Sequence, residues 1–175
     1  MRAATGHTAL GEVEGSPIAT KNFSTVIPAG RTVGEIQAML AAHGARSIQV
    51  EYDAGTPVAI TAVLPTPVGD RSFRLAARID GTHRQLERDR AAGKLAMGKA
   101  TREQAARVVW RSLQDWLEAT VALIEAGAST MDQALFAYML PPGSAGTIYE
   151  AYVEHERPLL GTGGALGAAA AQAGG

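Results

Sequence analysis

SIQVEYDAGTPVAITAVLPTPVGDRSFRL, residues 47–75, reads as three consecutive β-strands joined by two turns. In Ser47–Tyr52, Ile48 and Val50 alternate with Gln49 and Glu51, the period-two pattern of a half-buried strand. Asp53-Ala54-Gly55 supplies a turn, Val58–Leu64 a longer and more apolar strand, and Pro65–Asp70 a second turn. Arg71–Leu75 then alternates Arg71, Phe73 and Leu75 with Ser72 and Arg74 as a final edge strand. Two hairpins in succession predict an antiparallel meander.

Toward the N-terminus, Asn22–Ile27 (NFSTVI) is β-branched, contains an aromatic and stops at Pro28, which predicts a further strand. Thr32 and Glu35 have the spacing of a capping box, opening a helix that carries Ile36, Met39 and Leu40 and ends at His43–Gly44. Toward the C-terminus the period changes. Residues 80–92 predict a charged helix held mainly by Leu86, and residues 93–98 a basic connector. Thr101 and Gln104 open a long helix with a stripe of Ala105, Val109, Leu113, Trp116, Leu117, Thr120, Leu123 and Ile124, closed by Gly127. Thr130 with Gln133 begins a short helix stopped by Pro141–Pro142, and Thr147–Glu156 is a last amphipathic piece.

The predicted class is α+β, in the order β-α-β-β-β-α-α-α, with an antiparallel sheet of about four strands covered on one face by helices. One domain spans residues 21–157. The Gly- and Ala-rich flanks, residues 1–20 and 158–175, are expected to be a disordered leader and tail.

Charge is segregated. Residues 71–111 carry eleven of the sixteen Lys and Arg against four acids, a net +7 that leaves −8 elsewhere in a chain of formal charge −1. A positive block of this kind predicts a polyanionic partner, nucleic acid or nucleotide. The candidate contacts are Arg71, Arg74 and Arg78 at the last strand, Arg84 and Arg88 on the charged helix, and Arg107, Trp110, Arg111 and Gln114 on the long one. Arginines four apart, as at 84 and 88, repel unless an anion or a carboxylate lies between them. Residues 107, 110, 111 and 114 share one helical face, where guanidinium groups can take phosphates and an indole can stack on a base. The competing reading packs Trp110 against a neighbouring helix, with Arg107 and Arg111 paired to acids such as Glu103 or Glu118.

Several chemistries are excluded or unsupported. The absence of cysteine removes disulfides, thiolate-bound metals and thiol nucleophiles. His7, His43, His83 and His155 are scattered, with no metal-ligand spacing, so neither a metal nor a cofactor is expected. No phosphate-binding loop, dinucleotide fingerprint or nucleophile elbow occurs. The pairs Glu51/Asp53 and Asp115/Glu118 read as ordinary surface carboxylates. With no signal peptide and no long apolar run, the expected location is the cytoplasm of a bacterial host, away from membranes.

The segments FRLAARID (73–80), TREQAARVVWRSLQDWLEATVALIEAG (101–127), ALFAYML and TIYEAY resemble a family of small uncharacterised proteins encoded by bacteriophages and prophages. The resemblance covers residues 24–152, including PAGRTVGEIQAMLAAHGA and VEYDAGTPVAI. Ala76 and Gln114 depart from it, standing where the family commonly has proline and lysine. It implies a phage setting and no particular activity. The function expected is therefore a non-enzymatic accessory protein that binds nucleic acid, preferentially single-stranded. The alternatives are a nucleotide-sequestering anti-defence protein, or a homo-oligomeric interaction module in which the basic block meets the acidic residues of 112–157.

Overall fold

The computed structural model describes residues 20–161, with side chains as far as Glu156. Most of the expected leader and tail thus lies outside the described residues. The elements run α1 (Ala29–Ala42), β1 (Ser47–Asp53), β2 (Thr56–Leu64), β3 (Arg71–Ala76), α2 (Ile79–Ala91), α3 (Arg102–Glu125), α4 (Met131–Ala134), a 3-10 turn (Phe136–Tyr138), β4 (Met139–Leu140) and α5 (Ile148–Gly161). The sheet is antiparallel in the order β1-β2-β3-β4, so the α+β class and the meander are both present.

Register places Val50 opposite Ile60 and Ile60 opposite Leu75, with Ile48, Ala62 and Phe73 in the next row. Because side chains alternate across a sheet, these rows share one face, on which α1 and α3 complete the core. Gln49, Thr61, Ser72 and Arg74 occupy the opposite face. A bulge shifts the β1–β2 register between Glu51 and Tyr52. Beside it, the Pro57 carbonyl accepts the Trp110 Nε1–H at 2.8 Å, which ties α3 to the sheet.

Two elements differ from expectation at the N-terminal side. Residues 22–27 form no strand. Asn22 takes a left-handed φ of 64°, Phe23 N and Thr25 N close turns onto Thr20 and Asn22, and the Phe23 and Thr25 carbonyls both accept from Gln104 Nε2. The backbone polar groups that a strand would pair are thus satisfied by one carboxamide. Further clamps hold this segment to α2 and α3: Lys21 Nζ meets Asp115 at 2.9 Å, and Asp89 accepts from Thr20 N at 3.0 Å and Thr20 Oγ1 at 2.6 Å. Burial pushes the Asp89 carboxyl up, but these bonds and one from Gln85 outweigh it and hold the group below its usual range. The fourth strand is instead β4, which pairs with Ser72 and Phe73, so β3 is internal rather than an edge.

Helix α1 is capped at Pro28, four residues before the expected cap. Proline's fixed φ, here −59°, is already suited to a helix start. Thr32 consequently lies inside the first turn with its hydroxyl buried and unpartnered, and Glu35 bonds Arg31 instead of closing a box. The Thr101 cap holds, with Gln104 N donating to Thr101 Oγ1, and Thr130 closes its box with Gln133. Helix α5 continues to Gly161, beyond the expected end of the domain.

His43 ends α1 and bridges to α3. Its Nδ1 lies 2.8 Å from Met39 O and its Nε2 3.1 Å from Glu125 Oε1. A neutral imidazole donates from one nitrogen only, so both acceptors are served only by the cation. The Met39 carbonyl, with the Glu125 carboxylate second, raises His43 above its ordinary 6.5. A raised folded value means that this stabilisation is complete below pH 6.5 and is lost as pH rises through the folded value. An NMR titration should place the folded His43 above 6.5, with Glu125→Gln lowering it only part of the way.

Candidate anion-binding groove

Folding divides the basic block. On the open face of the sheet, Arg74 forms a two-pronged pair with Glu51, Nε to Oε1 and Nη2 to Oε2, each at 2.8 Å. That fork holds Glu51 below the usual carboxylate range. On α3, Arg107 pairs with Glu103, and Arg111 Nε lies 3.2 Å from Asp115 while its Nη1 donates to Gln114 Oε1. Arg102 is shared between Asp80 at 3.1 Å and Asp53 at 3.6 Å. Arg71 is spent on the carbonyls of Val68 and Asp70, and it stands at the far end of β3, roughly 20 Å of extended chain from Arg78.

The α3 constellation is therefore corrected. Trp110 is 0% exposed and belongs to the core, so it cannot stack on a base. Gln114 is also buried, with Nε2 donating to Glu118. Trp116, placed on the core stripe by its spacing, is only half-buried and packs against Tyr138 with ring centroids 5.3 Å apart. Leu123 is exposed. The buried residues of α3 are Gln104, Ala105, Ala106, Val108, Trp110, Gln114, Leu117, Thr120 and Val121, so Ala105, Leu117 and Thr120 of the stripe read in the sequence are buried while Val109, Leu113 and Ile124, like Trp116, are only partly so.

What remains converges on Arg78. This residue stands between β3 and α2 with Ala77 and Ile79 buried on either side, so the backbone is held while the side chain is exposed. Among the described residues it makes no salt bridge. Three clefts meet on it. One of about 430 Å³ lies toward Arg74, Tyr138, Thr147, Tyr149 and Glu150. A second of about 450 Å³ lies toward Asp80, Gly81, Arg84 and Arg102. A third of about 500 Å³ separates Arg78 from Tyr149, Val153 and Glu154 on α5. Each is of the size that takes a small ligand.

Arg84 is exposed and likewise without a carboxylate partner among the described residues, and Arg88 one turn on bonds only Gln85. The start of α2 adds the partial positive charge of its first turn to the second cleft. Of the nine residues singled out in the sequence, the structure brings Arg74, Arg78 and Arg84 to clefts that share Arg78, leaves Arg88 one turn beyond Arg84 in the last turn of α2, and disperses the rest. The α5 wall was missed. Its signal was TIYE at 147–150, a capping box in which Thr147 N donates to Glu150 Oε2 at 2.8 Å and Glu150 N to Thr147 Oγ1 at 3.2 Å.

Among the described residues no helix is long and apolar enough to cross a membrane, and no cluster of His, Asp and Glu could hold a metal ion. Comparison with known proteins finds no matching family model, no matching curated protein and no matching solved structure.

Proposed function

We propose that this protein binds single-stranded nucleic acid without acting on it, in a groove that runs from the start of α2 over Arg78 to α5. One observation carries the reading: an exposed guanidinium with no salt bridge among the described residues stands at the junction of three clefts, with further arginines on one side and tyrosines on the other. Arginine offers phosphate a planar fork of donors, and an aromatic ring offers a base a stacking surface. A phage or prophage origin, which the sequence resemblance implies, suits a protein that handles nucleic acid.

Binding should be electrostatic and limited in footprint. If Arg78, Arg84 and Arg88 each neutralise one phosphate, affinity for a single strand should fall about twentyfold between about 50 and 200 mM salt. The whole +7 block would give a loss of several hundredfold or more. Fluorescence anisotropy with a labelled oligonucleotide at the two ionic strengths measures this directly, and salt-independent binding would contradict the reading.

A further inference from the structure

Resting on that reading, we propose that the α5 side of the groove selects bases by their exocyclic amine, with Tyr149 stacking on the base and Glu150 accepting an N–H from its edge. Tyr149 and Glu150 both line the two clefts that lie between Arg78 and α5. Tyr149 is 51% exposed, and its ring packs in no ring pair among the described residues, whereas Tyr138 beside it is held against Trp116. A half-open aromatic wall facing a guanidinium with no salt bridge among the described residues matches the needs of a nucleotide, whose base is flat and whose phosphate is charged.

Glu150 is fixed rather than floating. Its Oε2 accepts from both Thr147 N, at 2.8 Å, and Thr147 Oγ1, at 3.1 Å. Among the described residues nothing bonds its Oε1. The Thr147 amide holds the carboxyl below its usual range, and the charges of Arg74 and Arg78 act in the same direction, so at neutral pH the group is a carboxylate. A carboxylate accepts and does not donate. Cytosine presents an amine at C4 and satisfies it. Uracil presents a carbonyl oxygen at the same position and is repelled.

The test compares oligomers of deoxycytidine and deoxyuridine, each about twelve nucleotides long, bound to the full chain at one salt concentration. The two differ at C4, amine against carbonyl, and at N3, acceptor against N–H, with stacking area nearly constant. The deoxycytidine strand should bind about tenfold more tightly, the worth of one charge-assisted hydrogen bond. Glu150→Gln keeps an oxygen as acceptor for the Thr147 amide and turns an NH2, which only donates, to the base edge, so the preference should vanish or reverse toward deoxyuridine. Circular dichroism checks that α5 is retained in that variant. Tyr149→Ala should weaken both strands to a similar extent, by about fivefold or more. Equal affinity for the two strands in the unaltered chain, or a preference that survives Glu150→Gln, overturns base selection and leaves nucleic-acid binding standing. Failure to bind either strand overturns both.

Discussion

Replacing Trp110 with alanine should bring the chain close to unfolding under ordinary conditions, with a loss of about 3–5 kcal/mol in a denaturant titration. Three circumstances add up at this residue. It is among the largest of the fully buried side chains, it lies between α3 and the sheet, and its indole N–H serves the Pro57 carbonyl beside the β1–β2 bulge. Domains of this size have only about 5–15 kcal/mol in total, so a cavity of that volume is a large fraction of the margin. Trp110→Phe separates the contributions. It keeps most of the volume and leaves the carbonyl unserved, so its cost should be about 1–3 kcal/mol. Trp116→Ala, at a half-buried ring, should cost less than Trp110→Ala. A ranking with Trp116 above Trp110 would restore the helix face read from the sequence.

Arg78→Glu should lower affinity for a single-stranded oligonucleotide by at least tenfold at about 50 mM salt and flatten the salt dependence. The substitution removes a charge-assisted bond to phosphate, worth about 1.5–3 kcal/mol, and puts a second carboxylate near Glu150. Because the side chain is exposed and makes no salt bridge among the described residues, the melting temperature should change little. Arg84→Glu should act in the same direction with a smaller effect, since Arg84 lines only one of the three clefts described. Arg107→Gln is the informative control. Arg107 carries the same formal charge but is already engaged by Glu103, so binding should stay within about twofold of the unaltered chain. A loss at Arg107→Gln equal to that at Arg78→Gln would mean that the whole block acts as one field.

The sheet was legible because its signals are local. Alternation in β1 and β3 and the turn chemistry between the strands fix pairing and register over short separations. Capping residues Thr101 and Thr130 were legible for the same reason. The errors lie where tertiary contacts choose among local options. NFSTVI has the composition of a strand, but Gln104, some eighty residues away, takes its carbonyls. On α3 the stripe read in the sequence and the buried face share Ala105, Leu117 and Thr120, and the face extends to Trp110, whose indole reaches the Pro57 carbonyl at the bulge. For the site, counting charges identified the right elements and overstated their reach. Pairings such as Arg74 with Glu51 reach from β3 to β1 across the intervening β2, which a linear count of charge does not resolve.

The two residues of β4 have an outsized effect on how copies of this molecule can meet. Met139–Leu140 pair with Ser72 and Phe73 on the outer flank of β3 and run straight into Pro141–Pro142, which have no amide hydrogen to offer an incoming chain. Among the described residues, only β1 is left as a long unshielded margin. Two molecules joining along that margin would each exhaust their one docking edge, so strand addition ends at a pair and cannot propagate into a fibre.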